Sequence, residues 1–325
     1  MTGWEQVLTL LASPLMQRAL VAAVLVGAAA PVVGTFLVQR RMALMGDGIG
    51  HVALTGVALG WLVGSWAAVS PADSLAVPGA VVAALVGSVV IELVRERGRT
   101  SGDLALAIMF YGGIAGGVLL IKVAGGTNAN LMSYLFGSIS TVSTGDLWWT
   151  AALAVLVLVV GVGLRWALFA VSHDEEFARA SGLPVRALSM VVAALAALTV
   201  TISMRVVGLL LVSALMIVPV AVAQILSRSF GRTMLLASGI GVAVSVVGLL
   251  ITYWNDVPPG ATIVVLAIGL YAAAAVAHPL VARRRAAGRD PHPDVSDDVL
   301  VPATDPDCAP GSAPGSPAGT GTTGR

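Results

Sequence analysis

Nine apolar runs dominate this chain, at 15–38, 42–65, 76–94, 103–122, 147–171, 187–204, 206–227, 233–253 and 260–282. Most approach the ~20 residues that carry a helix across a bilayer. Charged residues make up 11% of the chain and the mean hydropathy is +0.93. Soluble domains carry about 25% charged residues, so roughly half the usual charge is missing. The expected fold class is therefore all-α, a polytopic membrane helix bundle of about eight or nine spans. The one cysteine, Cys308, sits in a tail rich in proline and glycine, which excludes an internal disulfide and a thiolate metal cage.

The basic residues fall between alternate runs. Arg40 and Arg41, Arg95, Arg97 and Arg99, Arg165, Arg179 and Arg186, Arg228 and Arg232, Arg283 to Arg285, Arg289 and Arg325 share one side. They are 15 of the 18 Lys and Arg residues, with Arg18, Lys122 and Arg205 on the other. An excess of that kind marks the cytoplasmic face. Nine spans put the N-terminus outside and the C-terminus inside. The stretch 187–227 is the weak point, because Arg205 interrupts it and Pro219 is expected to break its second half.

Three domains are expected: an extramembrane or interfacial segment over 1–14, a transmembrane domain over 15–282, and a disordered cytoplasmic tail over 283–325. The N-terminus lacks a basic region followed by a small-residue cleavage site, so no cleaved signal peptide is expected. The longest interior loop, 123–146, carries an aromatic patch at Tyr134 and Phe136.

Within the second run stand two ionisable residues, Asp47 and His51. Side chains of that kind are costly inside a membrane and usually face a cavity, a partner or an ion. Positions i and i+4 share a helix face, so the two point the same way. A carboxylate and an imidazole there are ligand types for a divalent metal. Counting from Met42 at ~1.5 Å per residue puts His51 about 13 Å deep, near the middle of a ~30 Å core. The plainer alternative is a histidine hydrogen-bonded to a neighbouring helix, with Asp47 solvated near the inner interface. His173, His278 and His292 form no cluster with it in sequence.

On the same helix Gly48, Gly56, Gly60 and Gly64 follow a four-residue spacing, and Gly112 with Gly116 and Gly113 with Gly117 repeat it on the fourth run. Small residues so spaced let membrane helices approach closely, and packing alone explains the pattern. After the fifth run a polar segment offers Asp174, Glu175, Glu176, Phe177 and Ala178, then a stop at Gly182 and Pro184. An acidic start and a Gly-Pro end predict one short cytoplasmic helix, either an ordinary connection or, through Phe177, a docking point for a partner. The sole lysine, Lys122, precedes Val123, so no nucleotide-binding Gly-Lys-Ser/Thr loop is present. His-Glu-x-x-His and Gly-x-Ser-x-Gly are missing too.

Residues 40–51 (Arg-Arg-Met-Ala-Leu-Met-Gly-Asp-Gly-Ile-Gly-His), continued through Gly56-Val57-Ala58-Leu59, resemble the signature segment of the membrane permeases of zinc/manganese ABC importers. The segment from Asp174 to Ala178 with Gly182 is similar to that family's ATPase-coupling segment. The run from Val207 to Pro219, and Pro259 to Ile263, resemble two further blocks, so the likeness covers 15–282 in order.

The resemblance implies a plasma-membrane, multi-pass subunit that is not itself an enzyme. It implies a second permease copy, two cytoplasmic ATPase subunits that alone bind ATP, and an extracellular metal-binding delivery protein; no nucleic-acid partner is expected. Asp47 and His51 would ligate the transported ion, Zn2+ ahead of Mn2+, with no permanently bound cofactor, and 174–182 would transmit ATPase closure. The rival readings are a siderophore- or cobalamin-type ABC permease, an ion-coupled secondary transporter in which Asp47 and His51 relay protons, and an intramembrane enzyme.

Overall fold

A computed structural model describes residues 13–68, 72–97, 102–137, 144–255 and 257–286. The segment 1–12 and the tail beyond 286, where an interfacial segment and disorder are expected, lie outside the described residues. Among the described residues twelve α-helices succeed one another: α1 (Pro14–Gln39), α2 (Met45–Trp66), α3 (Ala76–Arg97), α4 (Gly102–Val123), α5 (Asn128–Phe136), α6 (Thr144–Gly163), α7 (Arg165–His173), α8 (Glu175–Ala180), α9 (Val185–Val207), α10 (Leu209–Leu226), α11 (Phe230–Asn255) and α12 (Pro259–Ala286). A 3-10 turn, Ala72–Leu75, precedes α3, and no strand occurs among the described residues.

Seven of these helices are long and apolar enough to cross a membrane: α1 to α4 and α10 to α12. The pair α6 and α7, bent by 70° at Leu164, makes an eighth if the two count as one span. The remaining run, 187–204, is α9, whose described apolar stretch, Val185–Thr201, is shorter. The all-α membrane bundle stands. Of the two interruptions expected in 187–227, the one at Arg205 falls three residues from the observed division, while the one at Pro219 does not occur. Pro219 lies inside an unbroken α10. The division between α9 and α10 falls at Gly208, with φ of 91°. A proline in a membrane helix loses one backbone bond, which packed neighbours tolerate; a left-handed residue changes the chain direction outright. A side chain at Gly208 would also strike the end of α5 at Phe136 and Gly137. The loop over 123–146 thus contains a helix that closes onto this break.

The bundle is built from the inside out by α1, α2 and α10, whose spans are 72%, 67% and 56% buried, against 17% for α12. Close approach explains the order. Gly27 of α1 meets Gly241 of α11 backbone to backbone, and a Cβ on either would overlap the other. Pro31 assists there, because it leaves the Gly27 carbonyl without its helical donor. On α2, Gly56 and Gly60 lie against Gly79 and Leu75 of the following hairpin partner; a Cβ on Gly56 would stand 2.5 Å from the Gly79 carbonyl oxygen. Gly48 makes only ordinary contacts with Leu106, and a Cβ on Gly116 would press on Thr55 at 3.2 Å. Gly112 departs from expectation: a Cβ there meets nothing within 4 Å, and Gly113 and Gly117 carry the close contact of α4 with α2. Gly64 is buried.

Two substitutions separate these roles. Gly60→Val should destabilise the detergent-solubilised protein by about 3 kcal/mol, the upper range for overpacking. Gly112→Ala should leave thermal unfolding unchanged or raise stability by up to about 1 kcal/mol. Equal behaviour of the two in a thermal-unfolding assay would contradict the packing described.

Candidate metal centre

The chain reverses between α1 and α2 over five residues. Arg41 adopts a left-handed conformation, φ 58°, while its N–H donates to Val38 and the Met42 N–H to Leu37, the double bond of a Schellman helix end. The turn occupies 42–44, so α2 begins at Met45 and not at Met42. Asp47 consequently sits in the first turn, where a negative charge is favoured by the helix dipole. His51 lies six residues in, about 9 Å along the axis, shallower than sequence counting suggested.

The two side chains do face the same way. His51 Nε2 is 3.7 Å from Asp47 Oδ1, an ion-pair distance that is too long for a hydrogen bond. His51 is 4% exposed and the Asp47 side chain 21%, so the pair reaches the surface of the chain only through its carboxylate. Asp47 Oδ1 and His51 Nδ1 are both buried and accept or donate no hydrogen bond. A neighbouring helix therefore does not satisfy the histidine, as the plainer alternative required. What surrounds it is apolar. Phe110 of α4 packs edge-on against the imidazole with ring centres 4.5 Å apart. Gly113, one turn on, lies so close that a Cβ would stand 2.5 Å from the His51 carbonyl carbon. The Thr55 hydroxyl donates to the Gly113 carbonyl at 2.8 Å and ties α2 to α4 just past the pair.

Leaving two polar atoms buried and unpaired costs about 1–3 kcal/mol each. A cation bound at Asp47 would recover that cost at the carboxylate, and an imidazole nitrogen is a second ligand type for a divalent metal. Among the described residues no group of three or more His, Cys, Asp or Glu stands close enough to hold a metal. Among the described residues the pair Asp47 and His51 supplies two such donors.

The cytoplasmic segment forms the expected helix, α8, of six residues. Asp174 caps it, its Oδ1 accepting from the Phe177 N–H at 2.9 Å. Gly182 ends it with φ of 79°, its N–H donating to Arg179 and that of Leu183 to Ala178. Ala178 is buried against the bundle, whereas Phe177 and Glu176 point outward. His173, just before the cap, meets Gln39 Nε2 through its Nδ1 at 2.9 Å and stands apart from His51.

Sequence reasoning missed the group beneath α8. Arg95 of α3 reaches Glu175 through Nη1 at 2.9 Å and Glu92 through Nη2 at 2.6 Å. Glu92 is wholly buried. The Arg95 bond holds the Glu175 carboxyl below the ordinary carboxylate range, against the opposing effect of burial. A single acid one turn from the end of an apolar run gives little signal by itself; its i, i+3 arginine partner was the available clue.

The comparisons with known proteins bear on both regions. The model of the ABC 3 transport family matches residues 12–278. The manganese transport system membrane protein MntC of Halalkalibacterium halodurans is 33% identical over 265 residues, or 82% of this chain and 88% of that protein. The manganese import system permease protein ScaB of Streptococcus parasanguinis is 34% identical over 249 residues, 77% and 85% of the two chains. Among solved structures, PsaBC from Streptococcus pneumoniae in complex with Fab superposes with a TM-score of 0.73 at 31% identity, over 83% of this chain and 94% of that one. A fold, a signature segment and a family match that extend together across the membrane domain leave one conclusion: this multi-pass membrane chain belongs to the ABC 3 transport family.

Proposed function

We propose that this chain is the permease of an ATP-driven divalent metal importer, and that Asp47 and His51 ligate the ion in transit. The observation that carries the reading is the buried pair with unpaired Oδ1 and Nδ1 in the first turns of α2. Manganese is the preferred cargo in this reading. The resemblance put zinc first, but the named relatives are manganese systems, and a carboxylate oxygen suits manganese well.

Charge decides how many copies the site needs. One Asp47 against a divalent ion leaves a net positive charge at low dielectric, which is expensive. Two copies of the chain bring two carboxylates and two neutral imidazoles. That set neutralises the ion and raises the donor count to four, a number one chain does not reach. Weak ligation shared between subunits also lets an ion leave as well as enter. Symmetric pairing is the common arrangement for such an interface.

Energy comes from elsewhere, because the chain lacks a nucleotide-binding loop. Two ATPase subunits would dock on α8 and the outward-facing Phe177, with Asp174, Glu175, Glu176, Ala178 and Gly182 fixing that helix in place. An extracellular metal-binding protein would deliver the ion. Family membership weighs against the secondary-transporter reading, in which α8 would have no task.

In proteoliposomes containing the assembled transporter, Asp47→Ala and His51→Ala should each lower 54Mn uptake by more than about 10-fold, the loss that even an indirect metal contact carries. Assembly and ATP hydrolysis should remain measurable. Wild-type uptake in either variant would remove the ligand assignment. Unlabelled Mn2+ should suppress uptake at lower concentration than Zn2+ does, and the reverse order would reassign the cargo to zinc.

A further inference from the structure

We propose that Arg95 is the positioning residue through which movement of α8 reaches the metal-bearing helix, with Glu92 as its buried anchor. This rests on the reading of α8 as the ATPase-docking element.

The geometry is specific. The Arg95 guanidinium places Nε 3.2 and 3.3 Å from the two Glu92 carboxylate oxygens and Nη2 2.6 Å from Oε1. The same fork places Nη1 2.9 Å from Glu175 Oε2 and Nη2 3.4 Å from Oε1. One planar group therefore grips two carboxylates 83 residues apart in sequence, one on α3 and one on α8. A guanidinium holds that arrangement because its donors form a rigid fork; a lysine ammonium presents a point charge and fixes no angle. Glu92 has no exposed surface, so its charge depends on the clamp. Arg40, which caps α1 and donates to Ser189 of α9, lies within electrostatic reach of both acids, and the exposed Arg179 side chain stands 3.5 Å from Glu175 Oε1.

Glycine contacts farther along α3 turn this staple into a lever. Five residues before Glu92, Gly87 lies against Val52 of α2 and Met109 of α4; a Cβ there would approach them to 3.0 and 3.1 Å. Val52 adjoins His51, and Met109 adjoins Phe110, whose ring packs on that histidine. Two turns beyond Gly87, Gly79 meets Gly56 and Gly60 of α2 through backbone atoms, with no flexible side chain between. From Arg95 to Gly87 is eight residues, about 12 Å of helix. A displacement of Glu175 is thus passed by a rigid rod to the walls of the metal centre. Without the clamp, α8 keeps the Asp174 cap and the buried Ala178 but loses its ion pair to α3, and would move without it.

The test compares Arg95→Lys, which keeps the charge and loses the fork, with Glu92→Gln/Arg95→Met, which removes both charges and leaves neither buried and unpaired. In the reconstituted transporter both should assemble and hydrolyse ATP. Metal moved per ATP should fall at least about five-fold, the low end of coupling between sites. A role in folding alone would lower transport and ATP hydrolysis together and leave that ratio unchanged, and an unchanged ratio in both variants overturns the proposal. A second readout does not depend on the cargo. ATP should alter amide hydrogen exchange over residues 79–95 in the wild type but not in Arg95→Lys, and persistence of the change in the variant likewise overturns it. If the wild type moves no Mn2+ while the exchange result holds, the metal reading fails and the lever stands.

Discussion

The approach of α2 to its neighbours, backbone against backbone at glycine, is the constraint on which the rest of the molecule depends. Gly56 and Gly60 bring the start of α3 within van der Waals range, and Gly113 brings α4 onto the His51 carbonyl. Lipid supplies no hydrophobic force between membrane helices, so surface complementarity of this kind has to supply the association. Its result is an α2 enclosed by protein along two faces. Ionisable side chains on such a helix are shielded from hydrocarbon, and their placement is set by neighbours that do not yield.

Enclosure also explains the chemistry. Asp47 and His51 sit near enough to feel one another, at 3.7 Å, and too far apart to satisfy one another. Phe110 and the glycines offer no polar replacement. Unpaired donors of this kind are what the proposed cation would engage. In the proposed reading one chain offers a single negative charge there, and a second copy would supply the other. At the cytoplasmic edge the opposite solution applies: Glu92, with no exposed surface, is engaged by Arg95.

Much of this was legible in the residues. The apolar runs and the basic bias gave the spans, the four-residue spacing of Asp47 and His51 put them on one face, and the acidic cap with Gly182 marked α8. The misreadings have physical causes. Pro219 looked like a breaker because propensity is a local property, while packed neighbours decide whether the lost bond matters. Gly208, one glycine among 37, gave no comparable signal, since a left-handed conformation is visible only in the backbone. Gly112 and Gly113 are indistinguishable by spacing, and the rotation of α4 selects the second. The start of α2 moved by three residues because a turn with Arg41 in place of the usual glycine is not advertised by composition. The bond from Arg95 to Glu175 joins distant segments and has no local pattern at all.

Anomalous X-ray scattering at the manganese edge, from crystals of the assembled transporter grown with Mn2+, tests the central claim most directly. One ion should appear in the membrane domain, coordinated by the Asp47 carboxylate and the His51 imidazole of both permease copies. An ion bound in the translocation path with neither residue in its coordination sphere would contradict it.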